Sequence, residues 1–304
     1  MKKDYRPIAL VNITNRCNLK CKHCFVFREG TPNTPTDKNE MPAEEMIKEI
    51  KKFKKKHGIF RMLWMGGEPL LRKDVLKLGV KLFPQNVIAT NGTLPLFNLG
   101  PKIKWAVSID GPEEYNDEVR GKGSFKKIIH NLNELPDDFT GDLQCSCAVT
   151  KRNEDSLEEL IKILRNETQA RGVTFSFYVP KKNDTSEFMW KTLEERDHVI
   201  KKVLALKKKY PNYILNNKMV FELLLSQNAL EVTNNCPIKN FALPLYLGNE
   251  GFETPFCCYG NDVNCDLCGA WGAFHLAAVI KANPGFPLNV GTPYKKVSPS
   301  DIVV

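Results

Sequence analysis

Short apolar runs alternate with longer amphipathic stretches through the first 180 residues, and this alternation restricts the chain to one broad architecture. The runs at 8–13, 59–65, 87–90, 105–109, 143–149 and 173–179 read as six strands; 42–56, 125–135 and 156–169 read as helices between them. Pro42 sits near the first turn of its helix, where it is tolerated, and Pro136 stops another. Strands separated by helices imply right-handed crossovers and a parallel sheet, the pattern of a barrel, open or closed. In such sheets chemistry gathers at the carboxyl ends of the strands. After Pro180 the pattern changes to a long helical region at 186–210, a short helix at 219–227 and a tail rich in Cys, Gly and Pro. A soft boundary falls near 182, giving segments 1–182 and 183–304. There is no internal repeat.

At 304 residues, 42% hydrophobic and 26% charged, the chain can bury a large core. No apolar run approaches the ~18 residues of a membrane span. The stretch after Met1-Lys2-Lys3 is too short for a signal sequence, so secretion is not expected. The net charge of +9 would attract an anionic partner, although blocks such as Lys51-Lys52-Phe53-Lys54-Lys55-Lys56 read as solvated helix faces. Ten cysteines fall in three tight groups: Cys17, Cys21 and Cys24; Cys145 and Cys147; and Cys236, Cys257, Cys258, Cys265 and Cys268. In a chain without a signal peptide such clustering points to metal sites rather than a disulfide framework.

Cys17-x-x-x-Cys21-x-x-Cys24 follows the first strand. Three thiolates bind three irons of a cubane and leave the fourth open, whereas zinc asks for four ligands. His23 lies beside Cys24 and turns back onto the same ion only with difficulty. The spacing resembles the radical S-adenosylmethionine superfamily, and three further segments carry the same likeness in order: Gly66-Gly67-Glu68-Pro69 after the second strand, Thr90-Asn91-Gly92 after the third, and Ser108-Ile109-Asp110-Gly111 after the fourth, completed by Arg120-Gly121-Lys122-Gly123-Ser124-Phe125.

The resemblance implies an α/β fold, a partial (β/α)6 radical SAM barrel over 1–182. It implies a [4Fe–4S] cluster on Cys17, Cys21 and Cys24 that chelates S-adenosylmethionine and cleaves it reductively to a 5′-deoxyadenosyl radical. Gly66 and Gly67 would let the backbone approach the methionine amino group. Glu68 is either part of that shell or a strand-end carboxylate capping the next element. Asn91 and Ser108 would bond ribose or carboxylate, or simply form turns. Asp110 reads as a turn former, and Arg120 as a partner of the cofactor carboxylate or of a loop salt bridge. His23 stands at a position usually aromatic in the family and reads as packing near the adenine. Val26, Phe27 and Arg28 would cover the cluster.

Cys145 and Cys147 are two apart on one strand and share a face; they read as small buried hydrophobes, or as thiols near substrate if that face is the lumen. In the tail, a Gly-rich hairpin would return Cys257 to Cys236, and Cys265-x-x-Cys268 completes four soft ligands for an iron–sulfur cluster or a zinc. This tail resembles the twitch and SPASM auxiliary-cluster domains. Five cysteines, against seven in the full SPASM pattern, imply one auxiliary [4Fe–4S] cluster on Cys236, Cys257, Cys265 and Cys268, with Cys257 favoured over Cys258 by its place in the pattern.

The substrate is less legible. The chain length is similar to that of small dehydrogenases acting on aminocyclitols, and the tail from Asn216 is similar to that of adenosyl-adding enzymes of hopanoid type. A small-molecule or lipid-like metabolite, anionic to suit the net charge, is the first expectation; a peptide- or protein-modifying maturase is the second, and an electron carrier the third. The resemblance further implies a flavodoxin- or ferredoxin-type electron donor and an anaerobic cytoplasmic setting. No nucleic-acid-binding module is recognisable.

Overall fold

The computed structural model describes residues 4–28 and 40–283. Six parallel strands follow one another in sequence and in space: β1 Ile8–Asn12, β2 Arg61–Met65, β3 Gln85–Thr90, β4 Ile103–Ser108, β5 Asp142–Val149 and β6 Val173–Phe177. Helices α1 Ala43–His57, α2 Lys73–Gly79, α3 Glu113–Arg120, α4 Ser124–Asn133 and α5 Leu157–Glu167 connect them. The α1 sequence shows why it forms. Glu44 and Glu45 lie in its first turn and Lys54, Lys55, Lys56 and His57 in its last, both favourable to the helix dipole. Gly58, at φ +70°, ends it and donates its N–H to the Lys54 carbonyl at 2.8 Å. Lys51, Lys52, Lys55 and Lys56 are exposed, the expected solvated face.

The side chains alternate across the sheet with period two. Ala9, Val11, Met62, Trp64, Ile88, Trp105 and Val107 point to the helices and are fully or almost fully buried. Leu10, Leu63, Val87 and Ala106 point the other way and line a lumen.

The segment after 182 joins this sheet. It forms α6 Leu193–Lys209, α7 Lys218–Leu224, α8 Ser226–Asn234, α9 Ile238–Phe241, β7 Ala242–Gly248, β8 Gly251–Glu253 and α10 Trp271–Ala282. β7 runs parallel to β1, with Ile8 opposite Ala242 and Val11 opposite Leu245, so the sheet order is β6-β5-β4-β3-β2-β1-β7-β8. The expected hairpin is β7–β8, closed at Gly248 opposite Gly251. The long helix begins at Leu193 rather than 186, because the Thr192 side chain caps it by accepting from Glu195 N. The short helix at 219–227 is two helices, α7 and α8, broken at Leu225.

α10 lies along the open side of the barrel. Phe177 N donates to the Gly269 carbonyl at 2.9 Å, and Trp271 N donates to Ser176 Oγ at 3.2 Å. Trp271, His275, Leu276 and Val279 line the lumen, while Phe274 is fully buried in the core. No helix among the described residues is long and apolar enough to cross a membrane. If α10 is core rather than an attached tail, Phe274→Ala should cost about 3–5 kcal/mol, as for other buried aromatics; chemical denaturation of the two proteins reads this as a lowered midpoint.

Candidate functional site

One cavity of about 1450 Å³ runs through the lumen and meets both outer cysteine groups. Cys17, Cys21 and Cys24 lie at its mouth, half-buried, on the loop that follows β1. The segments after β2, β3 and β4 hold that loop. Gly67 N donates to the Thr14 carbonyl at 2.8 Å and Glu68 N to the Arg16 carbonyl at 2.9 Å. A Cβ on Gly66 would meet Asn12 Oδ1 at 2.2 Å, and one on Gly67 would meet the Arg16 carbonyl oxygen at 2.1 Å. The glycine pair is therefore required by the approach of two protein loops, in addition to any ligand. From β3, Asn91 Nδ2 donates to Asn18 Oδ1 at 2.9 Å, and Asn18 Nδ2 donates to Thr93 Oγ1 at 2.8 Å.

Asp110, after β4, is fully buried and accepts from Arg120 Nε at 2.6 Å and from Ala148 N at 2.9 Å; His23 Nε2 lies 2.8 Å from it. Burial works to raise this carboxyl, but the Arg120 charge and the contact with His23 outweigh it and hold it well below the usual carboxylate range. Arg120 borders the cavity, and its charge opposes the burial that lifts Cys21 to about 11. Metal binding needs the thiolate, so a ligated metal must supply the stabilisation that burial withholds.

Glu68 is also fully buried. It accepts from Leu70 N at 2.9 Å, Thr90 Oγ1 at 2.7 Å and Asn91 N at 2.7 Å, so both oxygens are engaged within the fold. Of the candidate cofactor residues, Gly66, Gly67, Asn91, Ser108 and Arg120 border the cavity; Glu68 and Asp110 stand behind it as braces. Val26, Phe27 and Arg28 border it as expected. His23 packs against Phe188, but its link to Asp110 was not foreseen. Cys145 and Cys147 share the helix-side core with Leu143 and Val149, although Cys145 also touches the cavity, while Gln144, Ser146 and Ala148 face the lumen; Cys147 Sγ donates to the Asp110 carbonyl at 3.8 Å.

The tail cysteines Cys236, Cys257, Cys258, Cys265 and Cys268 all border the same cavity. The Cys257 and Cys258 sulfurs are 3.9 Å apart. Their hydrogen bond pulls Cys257 down to about 7 against its burial, aided by Arg28, and pushes Cys258 up. Cys257 interacts electrostatically with Cys236, Cys265 and Cys268. Two arginines fasten this region. Arg28 donates to the Val179 and Tyr259 carbonyls at 2.6 and 2.8 Å. Arg196, almost fully buried on α6, donates to the Cys268 and Leu224 carbonyls at 2.9 and 3.0 Å. Nothing in the local sequence marks Arg196 except an arginine on the apolar face of its helix. Among the described residues no three His, Cys, Asp or Glu side chains converge on a single metal ion. A cluster, in which each thiolate binds a different iron, does not require that convergence.

Residues 11–186 match the Radical SAM superfamily, and the chain belongs to it. That family uses a [4Fe–4S] cluster and S-adenosylmethionine, and the three thiols at the border of the cavity, with the Gly66 and Gly67 backbone and the polar Asn91 and Ser108 beside them, are a donor set that fits both. The chain is 34% identical over 149 residues to Fe-coproporphyrin III synthase of Methanosarcina barkeri, covering 45% of this chain and 35% of that protein. It is 30% identical over 164 residues to the mycofactocin maturase MftC of Mycolicibacterium smegmatis, covering 50% and 40%. The alignments thus span well under half the length of these relatives. Among solved structures, native anSMEcpe with bound AdoMet superposes at TM-score 0.61 with 17% identity, over 91% of this chain and 81% of that one. Streptococcus suis SuiB bound to the precursor peptide SuiA superposes at 0.60 with 14% identity, over 90% and 65%.

Burial raises the Glu68 carboxyl to about 7, against the hydrogen bonds from Asn91, Leu70 and Thr90. A raised acid binds its proton in the folded state over a window where the unfolded chain has lost it, so its contribution to stability falls as pH rises from 4.5 to about 7. The wild type should show this decline, on the order of 3 kcal/mol, in urea titrations across the window. Glu68→Gln should show a flatter pH dependence.

Proposed function

We propose that this chain holds its catalytic [4Fe–4S] cluster on Cys17, Cys21 and Cys24, cleaves S-adenosylmethionine reductively, and abstracts hydrogen from, or adds to, an unactivated carbon of a small-molecule or lipid-like metabolite. The observation that carries this reading is the single cavity that joins the three-cysteine mouth to an apolar lumen. Bound there, cluster and cofactor supply one electron and a carbon-centred radical. The chain's own residues then have defined tasks. The Gly66–Gly67 backbone borders the cavity and is held against the cysteine loop by the Gly67 and Glu68 N–H bonds to the Thr14 and Arg16 carbonyls. Asn91 and Ser108 present polar groups at strand ends, and Arg120 places positive charge beside Cys21. α10, packed beside β6, covers part of the open side of the barrel and so reduces the access of bulk water to a reactive radical.

Cys236, Cys257, Cys265 and Cys268 would hold a second [4Fe–4S] cluster, filled by four protein ligands and so unable to chelate the cofactor. It would relay an electron from the substrate radical or brace the tail. An electron donor of flavodoxin or ferredoxin type and a cytoplasmic, anaerobic setting complete the proposal. The maturases among the relatives favour a second reading, a peptide substrate threading the same cavity. Assays of the reconstituted enzyme with a candidate peptide and with carboxylated metabolites, scored by mass change, separate the two.

In reduced, reconstituted protein given S-adenosylmethionine alone, 5′-deoxyadenosine should form, and Cys21→Ala should lower it to the no-enzyme background. Cleavage surviving in Cys21→Ala would overturn the assignment; no cleavage in the wild type would favour the electron carrier. The double change Cys265→Ser with Cys268→Ser should remove about four irons and leave that cleavage intact. Zinc in the intact protein with only about four irons would instead make the tail a zinc site.

A further inference from the structure

At the end of the lumen away from Cys17, Cys21 and Cys24, charged side chains occupy positions where the strand register calls for inward-facing residues. Arg61 opens β2, and Lys104 lies near the start of β4. Five residues of extended chain put this floor about 15 Å from Gly66. His275, on α10, faces the same place and is nine-tenths buried. Among the described residues its Nε2 has no hydrogen-bond partner, and neither does the Nε1 of Trp271, one turn earlier, whose ring stacks on His275 at 4.8 Å. The three groups sense one another. Burial, then Arg61 and Lys104, lower His275 to about 4; burial, against Asp142, lowers Lys104 to about 8, with Arg61 and Arg171 adding to the fall. Asp142 is engaged by Arg171 and by Gln144.

The charge balance of the whole cavity points the same way. Among the described residues its lining contains nine lysine and arginine residues but one carboxylate, Asp4, which Arg6 binds at 3.1 Å. A cavity so unbalanced favours a ligand that brings negative charge. Between floor and mouth the wall is apolar on the β1 to β4 and β7 side, at Leu10, Leu63, Val87, Ala89, Ala106 and Pro244, and polar on the β5 and β6 side, at Gln144, Ser146, Thr174 and Ser176, so an apolar chain would lie against the former. A buried imidazole nitrogen without a partner is costly unless a ligand satisfies it.

We propose that Arg61, Lys104 and His275 form a subsite for the anionic headgroup, a carboxylate or phosphate, of an amphipathic substrate whose apolar body lies along the lumen and whose reacting carbon reaches the Cys17–Cys21–Cys24 mouth. This rests on the function proposed above and adds to it the class of substrate and its orientation. Neutral His275 donates one hydrogen bond, from Nε2–H, to the headgroup; Arg61 and Lys104 supply the charge.

The test is calorimetric binding to the reconstituted holoenzyme, with decanoate, decyl phosphate and methyl decanoate as probes. At least one anion should bind about ten-fold more tightly than the ester, ~1.4 kcal/mol, and the tighter of the two identifies the headgroup. Lys104→Met and His275→Phe should each erode that preference, and Lys104→Arg should retain it. Iron content and thermal midpoint serve as folding controls for each variant. Equal binding of ester and anions by the wild type, or an undiminished preference in Lys104→Met, would overturn the subsite. A wild type that fails to cleave S-adenosylmethionine would instead strike at the function, which this binding experiment does not measure.

Discussion

Taking a carboxylate out of water costs several kcal/mol unless an opposite charge and hydrogen bonds replace the lost hydration. Asp110 meets that condition with groups from three separate segments: His23 in the cysteine loop, Arg120 at the end of α3 and the Ala148 amide of β5. The arrangement binds the cysteine loop to the sheet at a fixed place. It also sets the Arg120 charge beside Cys21. Glu68 does the same work one strand away, joining the turn after β2 to the turn after β3 through Leu70, Thr90 and Asn91. The mouth of the barrel is therefore pre-organised by buried acids that do not themselves border the cavity.

A six-stranded parallel barrel of this kind leaves one side open, and the chain closes it with its own later segment. β7 extends the sheet beyond β1, and α10 lies along the gap beside β6. The same closure has two further effects. It makes the lumen one continuous cavity, still open to solvent, and it carries Cys236, Cys257, Cys265 and Cys268 to the wall of that cavity. Arg196 secures the last of these by occupying the Cys268 and Leu224 carbonyls. Two groups of cysteines more than 200 residues apart in sequence thus face one cavity.

Much of this was legible from the chain. The six apolar runs are strands within a few residues of where they were expected, because their length and Val, Ile, Phe and Trp content suit a sheet buried on at least one face. The Gly-rich hairpin was legible from its turn residues. Other features had no local signal. β7 reads as one more short apolar run, and its pairing with a strand some 230 residues earlier depends on tertiary contact. Period-two spacing put Cys145 and Cys147 on one face but could not say which face is the lumen; the register with β4 and β6 decides it, and they belong to the helix side. Arg61 falls inside one expected strand and Lys104 just before another, the helix that carries His275 was not expected at all, and none of the three had a local signal of a shared site.

The sequence by itself determined the class of sheet, the order of the motifs along it and the donor chemistry available, since those follow from periodicity and residue type. Only the tertiary structure decided which of two possible tasks each polar residue performs. Glu68 and Asp110 became braces rather than cavity walls because donors from distant strands converge on them in a dry environment, where a carboxylate must be satisfied from within. Arg61, Lys104 and His275 became neighbours because two strands and a helix from opposite ends of the chain enclose the same space, and no local pattern encodes that meeting.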